Sequence, residues 1–399
     1  MLRSLVAAGA AAVTAVALTA GPALADPPSG TVPKDTAAVG VGADTTQYLF
    51  DQFSASWNKT HKTGTQIFSW DATNPTTGAT NDPIETKSAC ATIARPNGGT
   101  AGKTALEANT TDPTNKKYDC IDYARTASPR SSSDPACSTG GICYVSLAGD
   151  AETWAVRDTA SGGSDAPASL TSAQLVKIFE CKDTNWKQVG GTSAPILAYL
   201  PQTSAATRTF WLTALGGGTT PITAGSCVSD LPTQSEPGGT LEQNEGFNSV
   251  FNSPEAIFIY SVGDYVAQEY HSAACVNQQC TGSPACNPTA SQDQFGCNET
   301  GYLGLGKISN VSPLTSGKTP TINPNFSIVF QHSLYDVVRY DPNTADHIPG
   351  AESGSPGSIN LEQFFGKTGY FCTNAAAKAD VKDYGFLTTW KLSTCGAVS

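Results

Sequence analysis

The chain has 399 residues and carries 34 acidic against 23 basic side chains, a net charge of −11. That length suffices for two or three domains, or for one large two-lobed unit with a substantial core. The shortage of basic side chains excludes a nucleic-acid binder, which needs a Lys/Arg stripe to release counterions, and the 9% aromatic content excludes a disordered chain.

At the N-terminus, Arg3 precedes a small apolar run from Leu5 to Leu18 and the small-x-small segment Ala23-Leu24-Ala25. This reads as a secretory leader, residues 1–25, cut after Ala25. A membrane anchor is the competing reading, but Gly21, Pro22, Asp26 and two prolines break the run. No later segment has the roughly 18 apolar residues of a span, and the first cysteine, Cys90, lies far from the cut. The expected location is secreted and extracellular, so the 12 cysteines are expected to be oxidised. Spacing suggests Cys90–Cys120, Cys137–Cys143, Cys181–Cys227 and Cys372–Cys395. Cys275, Cys280, Cys286 and Cys297 pair among themselves or hold zinc; their spacings lack the tight C-x2-C pair of structural zinc.

Residues 26–36 read as a linker. Ala37 to Gly42 is a short apolar strand, and Leu49, Phe50, Phe53 and Trp57 then recur at helical spacing. Between them Asp44 or Thr45 is placed to cap the helix. The pattern returns at Ala91–Ala94, where Asn97-Gly98-Gly99-Thr100-Ala101-Gly102 opens a second helix. Cys120–Ala124 is a strand, and Tyr144–Ala148 with Thr153–Val156 forms a long buried connection. Thr171 and Gln174 make a capping box for a helix with Leu175, Ile178 and Phe179 on its apolar face. Pro195–Leu200 is strand-like and leads to a helix containing Phe210, Trp211 and Leu212. Ile257–Val262 is a second apolar connection; Ser327–Phe330 and Tyr335–Tyr340 read as strands, and residues 271–300 as a disulfide-pinned insertion. Alternating strands and helices predict an α/β fold.

Four strand-to-helix turns place Thr, Ser, Asn, Gly or Arg where a helix starts. Unpaired amides and the positive end of the helix dipole attract anions there, hydroxyls add hydrogen bonds, and Arg adds a forked charged donor. The order of these segments resembles the type 2 periplasmic-binding-protein superfamily, nearest its phosphate-binding members. The resemblance rests on Gly42-Ala43-Asp44-Thr45-Thr46, on Asn97 to Gly102, and on Asp122 to Ala127. It continues through Leu170-Thr171 with Leu175, Ile178, Phe179 and Trp186, through Leu200 to Thr207, and through Pro254 to Tyr260. It implies two lobes joined by two crossover strands, with lobe one at 37–147 and 262–399. The crossovers and lobe two would fall within 148–261, the crossovers themselves near 144–157 and 256–266. Two departures stand out: the family's phosphate-accepting Asp falls near Ala127 or Ser128, and its turn Arg falls at Leu200.

The resemblance implies capture of phosphate or a related small oxyanion in an interlobe cleft, with an ABC permease or another extracellular protein as partner. The implied ligand set is Asp44, Thr45, Thr46, Gly99, Thr100, Arg125, Ser128, Ser204, Thr207 and Arg208, with Arg130 a further nearby cation. No cofactor or metal is implied. The alternative is an extracellular interaction protein that keeps the fold with a degenerate cleft. A hydrolase has less to recommend it: His61, His271, His332 and His347 are scattered, with neither H-E-x-x-H nor G-x-S-x-G.

Overall fold

The structure, a computed structural model, describes residues 26–27, 31–74, 79–109, 119–132, 134, 136–137, 141–231, 240–246, 248–270, 302–316, 320–350 and 359–399. The expected leader lies outside them. A mixed nine-stranded sheet organises the described residues. Strand β1 (Ala38–Gly42) is buried throughout, as its unbroken run of small residues requires of a central parallel strand. It runs parallel to β2 (Ile67–Ser69) and to β3 (Tyr123–Thr126). Helix α1 (Gln47–Thr60) links the first pair, and α2 (Gly99–Asn109) precedes β3.

Strand β4 (Ile142–Arg157) has 16 residues, nearly all buried, and at about 3.3 Å per residue it is long enough to serve two lobes. Helix α3 (Ser172–Phe179) begins at the expected capping box. The Thr171 hydroxyl accepts from the Gln174 amide at 3.2 Å, and the Gln174 side chain accepts from the Thr171 amide at 2.8 Å. Then follow β5 (Leu197–Ala198), α4 (Ala206–Leu215), β6 (Ala256–Ser261), α5 (Val262–Tyr270), β7 (Leu303–Leu305), β8 (Gln331–Arg339), α6 (Ala375–Asp383) and β9 (Ala397–Val398). The strand order is β2-β1-β3-β8-β4-β6-β5, with β7 and β9 also pairing with β4.

The first part of β4 pairs antiparallel with β8, and Glu152–Val156 pairs antiparallel with β6. One strand thus passes from one half of the molecule to the other, as the long buried connection predicted. β6 passes directly into α5. Asp150 ties the two crossings together: its carboxylate accepts from the Gly263 amide at 2.9 Å and from the Ser261 hydroxyl at 2.5 Å.

Two main cores lie on either side of that tie. In one, Phe50 and Phe53 of α1 pack on Tyr123, Phe365 and Phe371. In the other, Trp154 packs with Phe179, Trp186, Trp211 and Ile257. Ile308, Ile322, Phe326 and Phe330 join this second core, and β7 pairs with Ala155–Arg157. Residues 303–330 therefore pack with the half expected as lobe two, although the sequence reading grouped them with lobe one. Ser327–Phe330, expected as a strand, forms a 3-10 turn at Ile328–Phe330. Phe326 and Phe330 share one buried face at a separation of four, a helical rather than a strand spacing.

The disulfides Cys90–Cys120, Cys137–Cys143, Cys181–Cys227 and Cys372–Cys395 form as spacing suggested. Cys275, Cys280, Cys286 and Cys297 lie outside the described residues. Among the described residues no helix is long and apolar enough to cross a membrane.

Candidate functional site

Three of the glycine-rich or hydroxyl-rich turns meet between the two halves. Gly42 has φ +122°, and a Cβ there would lie 2.5 Å from the Arg125 carbonyl, so β1 and β3 approach closely only with glycine at this point. Asp44–Thr46 follows as a 3-10 turn before α1, and the Asp44 carboxylate accepts the Thr45 amide at 3.0 Å. Gly98, with φ +90°, brings the turn before α2 against the Ser204 carbonyl in the turn before α4. Convergence of separate loops on one seam is what the sequence led one to expect.

What fills the seam was not expected. Glu242 and Gln243 reach in from a segment anchored beside Gln202 by the Gln202 amide and the Leu241 carbonyl at 2.8 Å. The Asn97 side chain donates to Glu242 at 2.8 Å, and Gln202 donates to Glu242 at 2.9 Å and to Asn97 at 2.8 Å. Gln243 donates to the Thr45 hydroxyl at 2.5 Å, and Asn244 donates to the Tyr48 hydroxyl at 3.1 Å. Ser204 donates to the Gln202 side chain at 2.6 Å. The seam is thus closed by the chain's own amides and one carboxylate, which is only 2% exposed.

The seam offers an anion no free donor among these amides, and its acids are pushed toward their protonated forms. Burial, and then the neighbouring Asp44 charge, push Glu242 up to about 8. Burial pushes Asp44 up to about 6, against the amides of Thr45 and Gln243 and the Arg125 charge. Behind them, burial raises the carboxyls of Glu152 and Asp264 well above the usual range. His332 lies 3.7 Å from both Asp150 and Glu152, and burial lowers its pKa.

Arg125 does not face this seam as a free donor. It is fully buried, and its guanidinium donates to the Ala43 carbonyl at 3.1 Å, the Trp70 carbonyl at 2.8 Å and the Ser69 hydroxyl. It stabilises the turns around it and balances Asp51, Asp71 and Asp336. Arg208 donates to the Pro201 carbonyl at 2.8 Å and pairs with Asp230 at 3.0 Å, bracing the turn before α4. Thr46 and Thr207 are buried. Ala127 and Leu200 are buried and apolar, whereas Ser128, the other position at which the family's Asp was expected, lines the neighbouring cavity.

On the other side of the Gly98 contact the halves border an open cavity of about 670 Å³. Gly99, Thr100 and Lys103 of α2, and Thr126, Ser128 and Arg130 after β3, form one wall. Thr209, Phe210 and Thr213 of α4 and the turn residues Ile328 and Val329 form the opposite wall, with His332 and Tyr335 of β8 between them. Lys103 pairs with Asp134 at 2.9 Å, and Arg130 donates to the Asp134 carbonyl at 2.7 Å. Two cations against one carboxylate leave this wall positive. Of the ten residues expected to hold ligand, Gly99, Thr100 and Ser128 line the cavity, and Asp44, Thr45 and Ser204 belong to the seam.

Lys103, Phe210, Ile328, Val329 and His332 were missed as site residues, as were Glu242 and Gln243. Phe210 carried a signal: it falls outside the buried stripe of Trp211, Ala214 and Leu215 on α4. Gln243 carried none, since 198 residues separate it from Thr45.

A family model described as a PBP superfamily domain matches residues 69–342, more than half of the chain. Among solved structures, a putative phosphate ABC transporter substrate-binding protein with bound phosphate from Clostridium perfringens is similar at 12% identity. The match covers 89% of this chain and 100% of that one, with a TM-score of 0.50. An ABC-type phosphate transport receptor from Vibrio cholerae is similar at 15% identity, covering 88% of this chain and 100% of that one, with a TM-score of 0.49. No curated protein matches the sequence.

Proposed function

Since the chain belongs to the PBP superfamily, we propose that it is a solute-binding protein that holds phosphate, or more fittingly a phosphate-bearing organic anion, between its lobes without converting it. The observation that carries this reading is the 670 Å³ cavity, lined from both halves and positive on one wall. Helix α2 leaves its first-turn amides without intrahelical acceptors, and Gly99 and Thr100 present that turn to the cavity. Lys103 and Arg130 supply charge beside it, and Ser128 a hydroxyl. The volume falls within the range of about 300–1,000 Å³ found for small-molecule sites, and Phe210, Ile328 and Val329 suit an apolar portion of the ligand. The cations favour the anion by charge-assisted hydrogen bonds, and the hinge formed by β4 and β6 allows closure around it.

Export supports the same reading: the leader pattern and the four disulfides fit an oxidising compartment. An ABC permease is the partner that such a protein would serve. The test is calorimetry with inorganic phosphate and with an aryl phosphate monoester. Tighter binding of the ester, weakened by Lys103→Ala and Arg130→Ala, is the expected result; binding of neither ligand overturns the reading.

A second reading has its own observation. The seam closed by Glu242 and Gln243 is what a degenerate cleft in an extracellular interaction protein would look like. A ligand at a hundred times its dissociation constant stabilises by about 2.7 kcal/mol. A thermal-shift screen that gives no shift with any anion would favour this second reading.

A further inference from the structure

Among the described residues, five large apolar side chains are exposed: Val32, Leu197, Leu231, Ile328 and Leu392. Single exposed apolar residues are ordinary, but Ile328 and Leu392 differ from the other three in lining one cavity, where they are 42% and 48% exposed. They come from different halves. Ile328 opens the 3-10 turn whose last residue, Phe330, is buried in the second core. Leu392 follows Trp390, whose ring N–H donates to the Ser333 hydroxyl of β8 at 2.8 Å, and precedes Cys395, which is bonded to Cys372 of the first core. Both side chains are therefore anchored facing water, and both gain by burial against an apolar group.

The aromatic rings that line the cavity already have partners. The Phe210 ring lies 4.4 Å from that of His332, and Tyr144 and Tyr335 meet edge to face at 6.1 Å. The Tyr144 hydroxyl also donates to Asp134 at 2.9 Å. A planar aromatic ligand finds these stacking surfaces engaged. A flexible aliphatic chain needs only dispersion contact, and Ile328, Val329 and Leu392 offer it. The cations Lys103 and Arg130 belong to the separate wall formed by α2 and the segment after β3.

On the basis of the solute-binding reading, we propose that the ligand is a phosphate monoester of an aliphatic alcohol. Its phosphate lies at Lys103 and Arg130 and its chain between Ile328 and Leu392. These two side chains set the preference over inorganic phosphate and over aromatic esters.

The test is calorimetry with inorganic phosphate and with ethyl, butyl, hexyl and phenyl phosphate. Affinity is expected to rise about two- to fourfold for each methylene from ethyl to hexyl phosphate, the upper figure being that of a fully buried methylene. Hexyl phosphate is expected to bind more tightly than phenyl phosphate. Leu392→Ser should cut the ratio of hexyl to ethyl affinity by about threefold or more, and Leu392→Met should keep it. Leu392 is exposed, so the fold tolerates both changes, and the ratio is blind to any loss that the two esters share. A flat series, tighter phenyl binding, a ratio unmoved by Leu392→Ser, or hexan-1-ol binding as tightly as hexyl phosphate overturns the proposal. In each of those cases bound ester leaves the solute-binding reading standing; if neither phosphate nor any ester binds, that reading falls and the proposal with it.

Discussion

The seam and the cavity are built from the same turns and have opposite chemistry. Asn97, on one side of Gly98, bonds to Glu242 in the seam; Gly99, on the other side, lines the cavity. The seam is lined by carboxyls and amides and closed by the chain's own side chains. The cavity is wide, basic on one wall and apolar on the other. A turn suited to anions thus becomes a ligand site or a structural joint according to what the rest of the chain brings to it. Glu242 makes one outcome, Lys103 and Arg130 the other.

The largest expected effect follows from Arg125. If it serves the seam's architecture rather than ligand, Arg125→Ala should cost about 3–5 kcal/mol of stability, the usual penalty for leaving buried charges unpartnered. Denaturant unfolding measures it. A stable variant with weakened anion binding would move Arg125 from the joint to the site.

Glu242 gives the next test. Its native carboxyl holds its proton up to about 8, above the ordinary 4.5. The native state therefore binds the proton more tightly than the unfolded chain does. The contribution to stability is fully present below 4.5 and is lost as pH rises through about 8. Unfolding free energy should fall across that window by up to about 1.4 kcal/mol per pH unit, the limit for one proton. Glu242→Gln should flatten this slope, and an unchanged slope would place the titration elsewhere.

In the cavity, Lys103→Ala and Arg130→Ala should each weaken binding of an aryl phosphate about tenfold, or ~1.4 kcal/mol, with little loss of stability. Calorimetry and thermal melts separate the two quantities. Smallest is Thr45→Val, which removes the acceptor for the Gln243 side chain. It should cost about 1 kcal/mol in unfolding experiments and leave cavity affinity unchanged. A change in affinity would show that seam and cavity act as one site.

Much of the fold could be read locally. Apolar runs and helical spacing located β1, α1, α3 and the long β4. Four disulfides followed from cysteine spacing, and the Thr171–Gln174 box marked a real helix start. The readings that moved depended on partners far along the chain. Residues 303–330 join the second core because Leu303–Leu305 pairs with the end of β4, and nothing within that stretch states which half it will cover. The short strand expected at Ala91–Ala94 contracts to Ile93–Ala94, paired only with Pro83–Ile84, where proline cannot extend a ladder.

For the site, the sequence determined the type of turn, because glycine at positive φ and a hydroxyl or amide before a helix are local matters of sterics and hydrogen bonding. It showed as well that no Asp stands at Ala127 or Ser128 and no Arg at Leu200. Only the tertiary structure decided which turns still face open space. Glu242 and Gln243 are distant in sequence from the turns they meet in space, and they take up the side-chain amides and hydroxyl of Asn97, Gln202 and Thr45 that would otherwise face open space.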